Sequence, residues 1–337
     1  MPTVVGSLRR LALTPAFEAV GFAARKFPVA PSPTVTALER IPQAVVCGFE
    51  WGIETRGQHE LERRLDLLEA GVRGFGYEGA TMALTVRDAM AGGRGRRAQA
   101  LLTGPGVPHT FLNYIGIGFA MARLPRVLWR GVLPDLGGTP YYPTMSWLAV
   151  DGYGFDRAYF DTPRWVDAQH RPRPYPWEGA PGYFLRAVDQ GIGRALWFIH
   201  GAAPAAVAAA VARFPGDRRE DLWSGVGLAA TFAGGSDLTG LTAMRHAAGS
   251  HAAAAGQGAV FAARARTFSG TVPEHTHAAV SALAGLSVDA ASALADDVAV
   301  GGLAAEGPDV PAYEVWRRLI RTRLHVPTAT SHDEEPY

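Results

Sequence analysis

The stretch AVDGYGFDRAYF (Ala149 to Phe160) returns later in the chain as AVDQGIGRALWF (Ala187 to Phe198), and this echo limits the possible folds more than any other feature. Both copies read Ala-Val-Asp, then a Gly-x-Gly, then an Arg-Ala pair ahead of aromatic residues. A lone Gly-x-Gly suggests a phosphate-cradling loop. The dinucleotide fingerprint, however, needs an apolar strand in front, a third glycine three residues after the second and an acid about 20 residues further on. Leu196 stands where the third glycine would be, and no Gly-Lys-Ser/Thr ending for a Walker loop exists in the chain. Repetition favours another reading. Small residues on a helix let a neighbouring helix backbone approach closely, at some loss of helix propensity.

Further echoes point the same way. GIGFA (Gly116 to Ala120) matches GVGLA (Gly225 to Ala229). Gly201-Ala-Ala-Pro204 matches Gly270-Thr-Val-Pro273, and at the same offset Ala209-Ala210-Val211 matches Ala278-Ala279-Val280 and Gly216 matches Gly285. Alanine is abundant, alternation of β-branched residues is scarce, and apolar residues recur at helical spacing. Pro204 and Pro273 sit where first helical turns begin, and Ser287 reads as an N-terminal cap. The expected fold is mainly α, made of duplicated helical units around a shared seam. A short β-hairpin is expected within the Gly- and Pro-rich segment from Gly104 to Thr144.

The chain divides on composition into an amphipathic arm (1–30), a first helical half (31–162), a Pro-rich crossing (163–182), a second helical half (183–323) and a polar tail (324–337). Arg9-Arg10 precede an apolar run, but Pro15 and Glu18 interrupt it, so the arm does not read as an export signal. FLNYIGIGFAMARL and ALWFIHGAAPAAVAAAVA are the longest apolar stretches, and each is broken by a polar residue or proline well short of the about 20 residues a membrane span needs. Buried helices of a soluble protein are expected, able to dock on a membrane partner. Lys+Arg 32 against Asp+Glu 31 gives a net charge of +1, which argues against nucleic acid as a partner. Cys47 is the one cysteine, which fits a reducing cytoplasm and excludes an intrachain disulfide or a thiolate zinc cluster.

Candidate functional residues follow from the aromatic-rich segment and the echoes. Trp147, Tyr153, Phe155, Tyr159 and Trp165, interleaved with Asp151, Asp156 and Arg157, form either an aromatic core with charged partners or a slot for a flat, apolar, conjugated ligand. Asp151 and Asp189 occupy matching places and are candidate paired carboxylates, with Arg194 and Trp197 beside the second. Each acid equally suits a helix cap or an arginine partner. Glu78 in GFGYEGA and His200 in LWFIHGA both stand before a Gly-Ala pair after aromatics, which makes them acid–base candidates. His275 and His277 are two apart, and His246 and His251 five apart, so neither pair shares a helix face suited to one metal. No metal or other cofactor is expected.

The segments GFGYEGATMA, MSWLAVDGYGFDRAYF, AVDQGIGRALWF, DLWSGVGLAATFAGG and GQGAVFAARARTFSGTVPEHTHAAV, in this order, resemble a family of proteins encoded beside enediyne polyketide synthases. The resemblance runs from Glu50 to Arg323. It implies a setting: an integral membrane protein and a propeller-like protein as partners, and conversion of a linear polyene towards an enediyne core. On that footing the chain is expected to bind and orient an apolar conjugated polyene, as a monomer or a homo-oligomer. Two other readings remain open at this point, a non-catalytic scaffold for the membrane partner and a cofactor-independent acid–base enzyme.

Overall fold

The structure is a computed structural model that describes residues 17–93, 96–301, 305–307 and 309–325. Most of the expected N-terminal arm and nearly all of the polar tail lie outside the described residues. The fold is mainly α, with no strand among the described residues. Its helices are α1 (Pro33–Glu54), α2 (Gln58–Leu65), α3 (Ala70–Met90), α4 (Arg97–Leu102), α5 (Thr110–Arg123), α6 (Trp147–Phe160) and α7 (Phe184–Ile199). They continue as α8 (Pro204–Ala212), α9 (Gly216–Ala233), α10 (Leu238–Ala248), α11 (Ala252–Phe268), α12 (Glu274–Ala284), α13 (Val288–Asp297) and α14 (Ala312–His325).

Local chemistry sets many of these boundaries. Ser32 Oγ accepts the Val35 N–H at 3.1 Å ahead of Pro33, and Asp237 caps α10 through the Gly240 N–H at 2.8 Å. Ser287 caps α13 through the Ala290 N–H at 3.1 Å, as its sequence context predicts. The expected hairpin is absent. After α5, residues 126–131 and 144–146 form 3₁₀ turns instead. Pro125, Pro134, Pro140 and Pro143 explain the difference, because each removes an N–H that a strand ladder would need.

Seven long helices, α1, α3, α5, α6, α7, α9 and α11, pack side by side in chain order. Consecutive members run in the same direction. Arg186 near the start of α7 pairs with Asp221 near the start of α9, and Trp197 near the end of α7 donates to the Gly234 carbonyl just past the end of α9. Likewise Ser224 of α9 bonds Gln257 of α11, and a little over two turns further along both helices Arg266 bonds the Phe232 carbonyl. The shorter helices and turns carry the chain back between these parallel members.

The glycine pairs explain how the series is held. In α5, α6, α7 and α9 the first glycine of each Gly-x-Gly faces a backbone carbonyl of the preceding long helix and the second faces one of the following helix. Gly116 meets Glu78 and Gly118 meets Ala149; Gly152 meets Ile115 and Gly154 meets Val188. Gly191 meets Asp151 and Gly193 meets Leu222; Gly225 meets Gln190 and Gly227 meets Ala255. A Cβ at any of these eight positions would overlap the carbonyl oxygen. The duplicated motif is thus a close-packing device, used four times and on both faces of each helix.

The series curls so that α3 and α5 come to face α9 and α11. Phe75 of α3 lies edge-on to Phe232 of α9 at 5.5 Å between ring centroids, and Phe111 of α5 meets Phe268 of α11 at 6.1 Å. Arg266 bridges the closure by donating to Phe232 O at 2.6 Å and Gly71 O at 3.2 Å. The C-terminal helix α14 is tied to α7, α9 and α11 by a buried network. Arg317 reaches Asp221 at 2.8 Å, Glu314 at 3.0 Å and Gln257 at 3.0 Å, and Tyr183 donates to Glu314 at 2.9 Å. Among the described residues no single helix is long and apolar enough to cross a membrane.

Candidate functional site

Curling the parallel helices leaves space along the inside of the curve, and two cavities lie there. The larger, of about 70 Å³, is walled by Val45, Val46 and Phe49 of α1, Phe75, Glu78 and Met82 of α3, and Phe119 and Arg123 of α5. Phe155, Asp156, Tyr159 and Phe160 of α6 and Arg194 and Phe198 of α7 complete it. The smaller, of about 30 Å³, lies between α5, α6, α9 and α11. Phe75, Arg194 and Phe198 line both, so these three side chains form a thin partition between them.

The lining is apolar with two polar ends. At the enclosed end Glu78, 2% exposed, faces the cavity and makes no hydrogen bond among the described residues. Burial raises its carboxyl to about 8, with Arg194 opposing and Asp151 reinforcing that shift. Glu78 is therefore held largely as the neutral acid near pH 7. Arg194, 5% exposed, donates through Nη1 to Asp151 Oδ1, and its guanidinium lies over the Phe155 ring at 5.0 Å. Its Nε is buried without an acceptor. Asp151 is fully buried and also accepts from Gln190 at 2.8 Å; burial nonetheless lifts its carboxyl above the ordinary range.

The other end opens to solvent. Arg123 is 39% exposed there and pairs with buried Asp156 at 2.9 Å. Burial raises Asp156 to about 6 against Arg123, Arg157 and Arg25, and its Oδ1 has no partner. Arg123 and Arg25 both lie over the Phe160 ring, at 4.6 and 5.1 Å.

The sequence candidates separate into cavity residues and core residues. Glu78, Phe155, Asp156, Tyr159 and Arg194 line the larger cavity, and Asp151 stands directly behind Arg194. The Tyr159 hydroxyl is spent on Val20 O at 2.6 Å, so the cavity meets its ring. Trp147 packs edge-on against Tyr183, and Tyr153 sits between Trp129 and Trp165. Arg157 donates to Ala122 O at 2.6 Å, and Trp197 to Gly234 O at 2.8 Å. His200 closes the C-terminal end of α7, where its backbone N–H donates to Leu196 O, and burial lowers its imidazole. None of these five lines either cavity.

Asp151 and Asp189 do keep matching roles, but with arginines and not with each other. Each takes an arginine from the next long helix: Asp151 takes Arg194, and Asp189 takes Arg218 at 3.0 Å. Arg218 lines neither cavity, so of the two pairs Arg194 with Asp151 alone borders the seam.

Sequence reasoning missed Phe49, Phe75, Met82, Phe119, Arg123 and Phe198. Apolar residues at helical spacing are ordinary core signals, and nothing in their spacing marks the ones that line space. Among the described residues no cluster of three or more His, Cys, Asp or Glu could hold a metal ion. Cys47 is half-buried on α1, and burial pushes its thiol up, which disfavours the reactive thiolate.

Residues 4–324 match the family model described as a protein of unknown function, DUF1702. The chain belongs to the DUF1702 family. Within it, the seam bounded by Glu78 and Arg194 at one end and by Arg123 and Asp156 at the other is the candidate site. No curated protein and no solved structure matches the chain.

Proposed function

We propose that this DUF1702 protein binds and orients a linear, apolar, conjugated chain in its axial cavity. The setting we propose is enediyne-type polyketide biosynthesis, beside an integral membrane protein and a propeller-like protein. The order of segments from GFGYEGATMA to VPEHTHAAV supports that setting. The observation that carries the binding reading is the narrow slot walled by Phe49, Phe75, Phe119, Phe155, Tyr159 and Phe198. Aromatic walls suit a flat conjugated chain through dispersion and offset ring contact. At about 70 Å³ the slot is smaller than a drug-sized pocket, so a long chain must spread its aromatic walls and run out past the exposed Arg123.

An absorption titration with a linear polyene hydrocarbon tests this. Saturable binding near one per chain, with sharpened vibronic structure, is expected. Val46→Phe, which fills the slot from α1, should abolish it. Absence of binding to the unaltered protein would leave a scaffold role in its place.

One observation favours a second reading, that of a cofactor-independent acid–base enzyme. Glu78 is a neutral buried acid facing the cavity, with its carboxyl raised to about 8, in the range suited to proton transfer near pH 7. A solvent isotope effect on product formation, lost in Glu78→Gln, would distinguish chemistry from holding.

A further inference from the structure

The polar end formed by Glu78, Arg194 and Asp151 has a charge balance that restricts what it can receive, given the reading of the cavity as a chain-binding site. Arg194 is already neutralised by Asp151, on which its Nη1 is spent. Donors remain there without acceptors: the Glu78 acid O–H and, on Arg194, the Nε–H and the Nη2 hydrogens, on residues 2% and 5% exposed. Buried donors left unmatched are costly, and a ligand oxygen that accepts from Glu78 and from Arg194 lessens that cost. An ionised carboxylate would bring a second, uncompensated negative charge beside Asp151 into an apolar enclosure. A hydrocarbon would leave these donors unmatched. A neutral carbonyl offers one lone pair to Glu78 and one to Arg194 and adds no charge.

We infer that the cavity is built for an apolar conjugated chain ending in a neutral carbonyl group, whose oxygen accepts from Glu78 and Arg194. Glu78 and Arg194 then act as the specificity determinants of the site. Two donors on a conjugated carbonyl draw electron density towards its oxygen, so the bound chain absorbs at longer wavelength than it does in an apolar solvent.

The test uses three probes of equal chain length on the full chain: a linear polyene hydrocarbon, the matching polyene methyl ketone and the matching polyene carboxylate. The ketone should bind roughly tenfold to a hundredfold more tightly than the hydrocarbon, the range expected for one or two recovered hydrogen bonds. It should show a red shift that the hydrocarbon lacks, and the carboxylate should bind weakest. Glu78→Leu should lower the ketone-to-hydrocarbon ratio severalfold to the part that Arg194 supplies, whereas Glu78→Gln, which keeps an N–H donor, should retain most of the preference. In the unaltered protein the preference should fade as pH rises through about 8, where Glu78 ionises. Arg194 and Asp151 face Glu78, and Asp156, Arg123 and Tyr159 border the rest of the cavity, so Glu78→Gln is the control that removes this pH dependence. Equal affinity for ketone and hydrocarbon, or tightest binding of the carboxylate, would overturn the inference while leaving chain binding intact. Failure of all three probes to bind would overturn the chain-binding reading and this inference with it.

Discussion

The Gly191 Cα rests against the backbone carbonyl of Asp151, and one turn further along α7 the Arg194 guanidinium donates to the Asp151 side chain. Close backbone approach and a buried ion pair are therefore two consequences of one helix contact. Without the glycine, the two backbones could not come this close.

Gly191→Ala should be strongly destabilising, because its methyl group would overlap a backbone oxygen that cannot turn aside as a side chain can. We expect a loss of about 3 kcal/mol or more, read as a lower urea midpoint. Gly216→Ala is the control. It has open space around it at the start of α9, and it should be neutral or stabilising by up to about 1 kcal/mol.

The ion pair predicts strong non-additivity. Arg194→Met leaves Asp151 buried without its cation, and Asp151→Leu leaves Arg194 without its anion, each at about 3–5 kcal/mol. The double variant removes both charges, so its loss should fall well below the sum of the two. Chemical denaturation of the four proteins in a double-mutant cycle measures this.

Stability should depend on pH through Glu78 with a definite sign. Its folded value of about 8 lies above the ordinary 4.5, so between these values the native state holds a proton that the unfolded chain has released. Stability from this group therefore falls as pH rises from 4.5 to about 8, by on the order of 5 kcal/mol, and then levels. Glu314 has the opposite sign. Burial pushes its carboxyl up, but Arg317, Arg321 and Arg186 outweigh this and bring it to about 2. Its contribution is present above 4.5 and is lost as pH falls through about 2. Calorimetry at pH 5 and pH 9 should show Glu78→Gln gaining thermal stability relative to the unaltered protein, with the larger gain at pH 9. Equal gains at both values would refute the assignment.

Much of the helical scaffold is legible in the sequence, because its determinants are local. Ser287 caps the helix that its context predicts, and the glycine echoes are packing positions. The Gly201 and Gly270 echo also holds, since both adopt positive φ just past the ends of α7 and α11. The missing hairpin reflects an over-weighting of glycine and an under-weighting of four prolines. The site is less legible. Glu78, Phe155, Asp156, Tyr159 and Arg194 stand out by residue type, but α3 and α7 are not consecutive in the series, and Glu78 and Arg194 line one cavity only because the series curls. The curl depends on the angle between successive helices, to which no single residue pattern answers. For the same reason Tyr153 and Trp197 look as good in sequence as Phe155, yet face the solid core.

Val46→Phe separates the cavity from the fold. Val46 is 4% exposed and borders the slot, so the larger ring should enter empty space at a modest stability change of about 1–2 kcal/mol while excluding a chain. Thermal unfolding and the polyene titration on the same preparation check both halves of this expectation.

The most direct measurement is a crystal structure of the full chain grown with a linear conjugated polyene. Continuous density is expected along the larger cavity between Phe49 and Phe155, with one end of the ligand at Glu78 and Arg194 and the other directed towards Arg123. Saturating ligand with density only on the outer surface, and an axial cavity unchanged in shape, would contradict it.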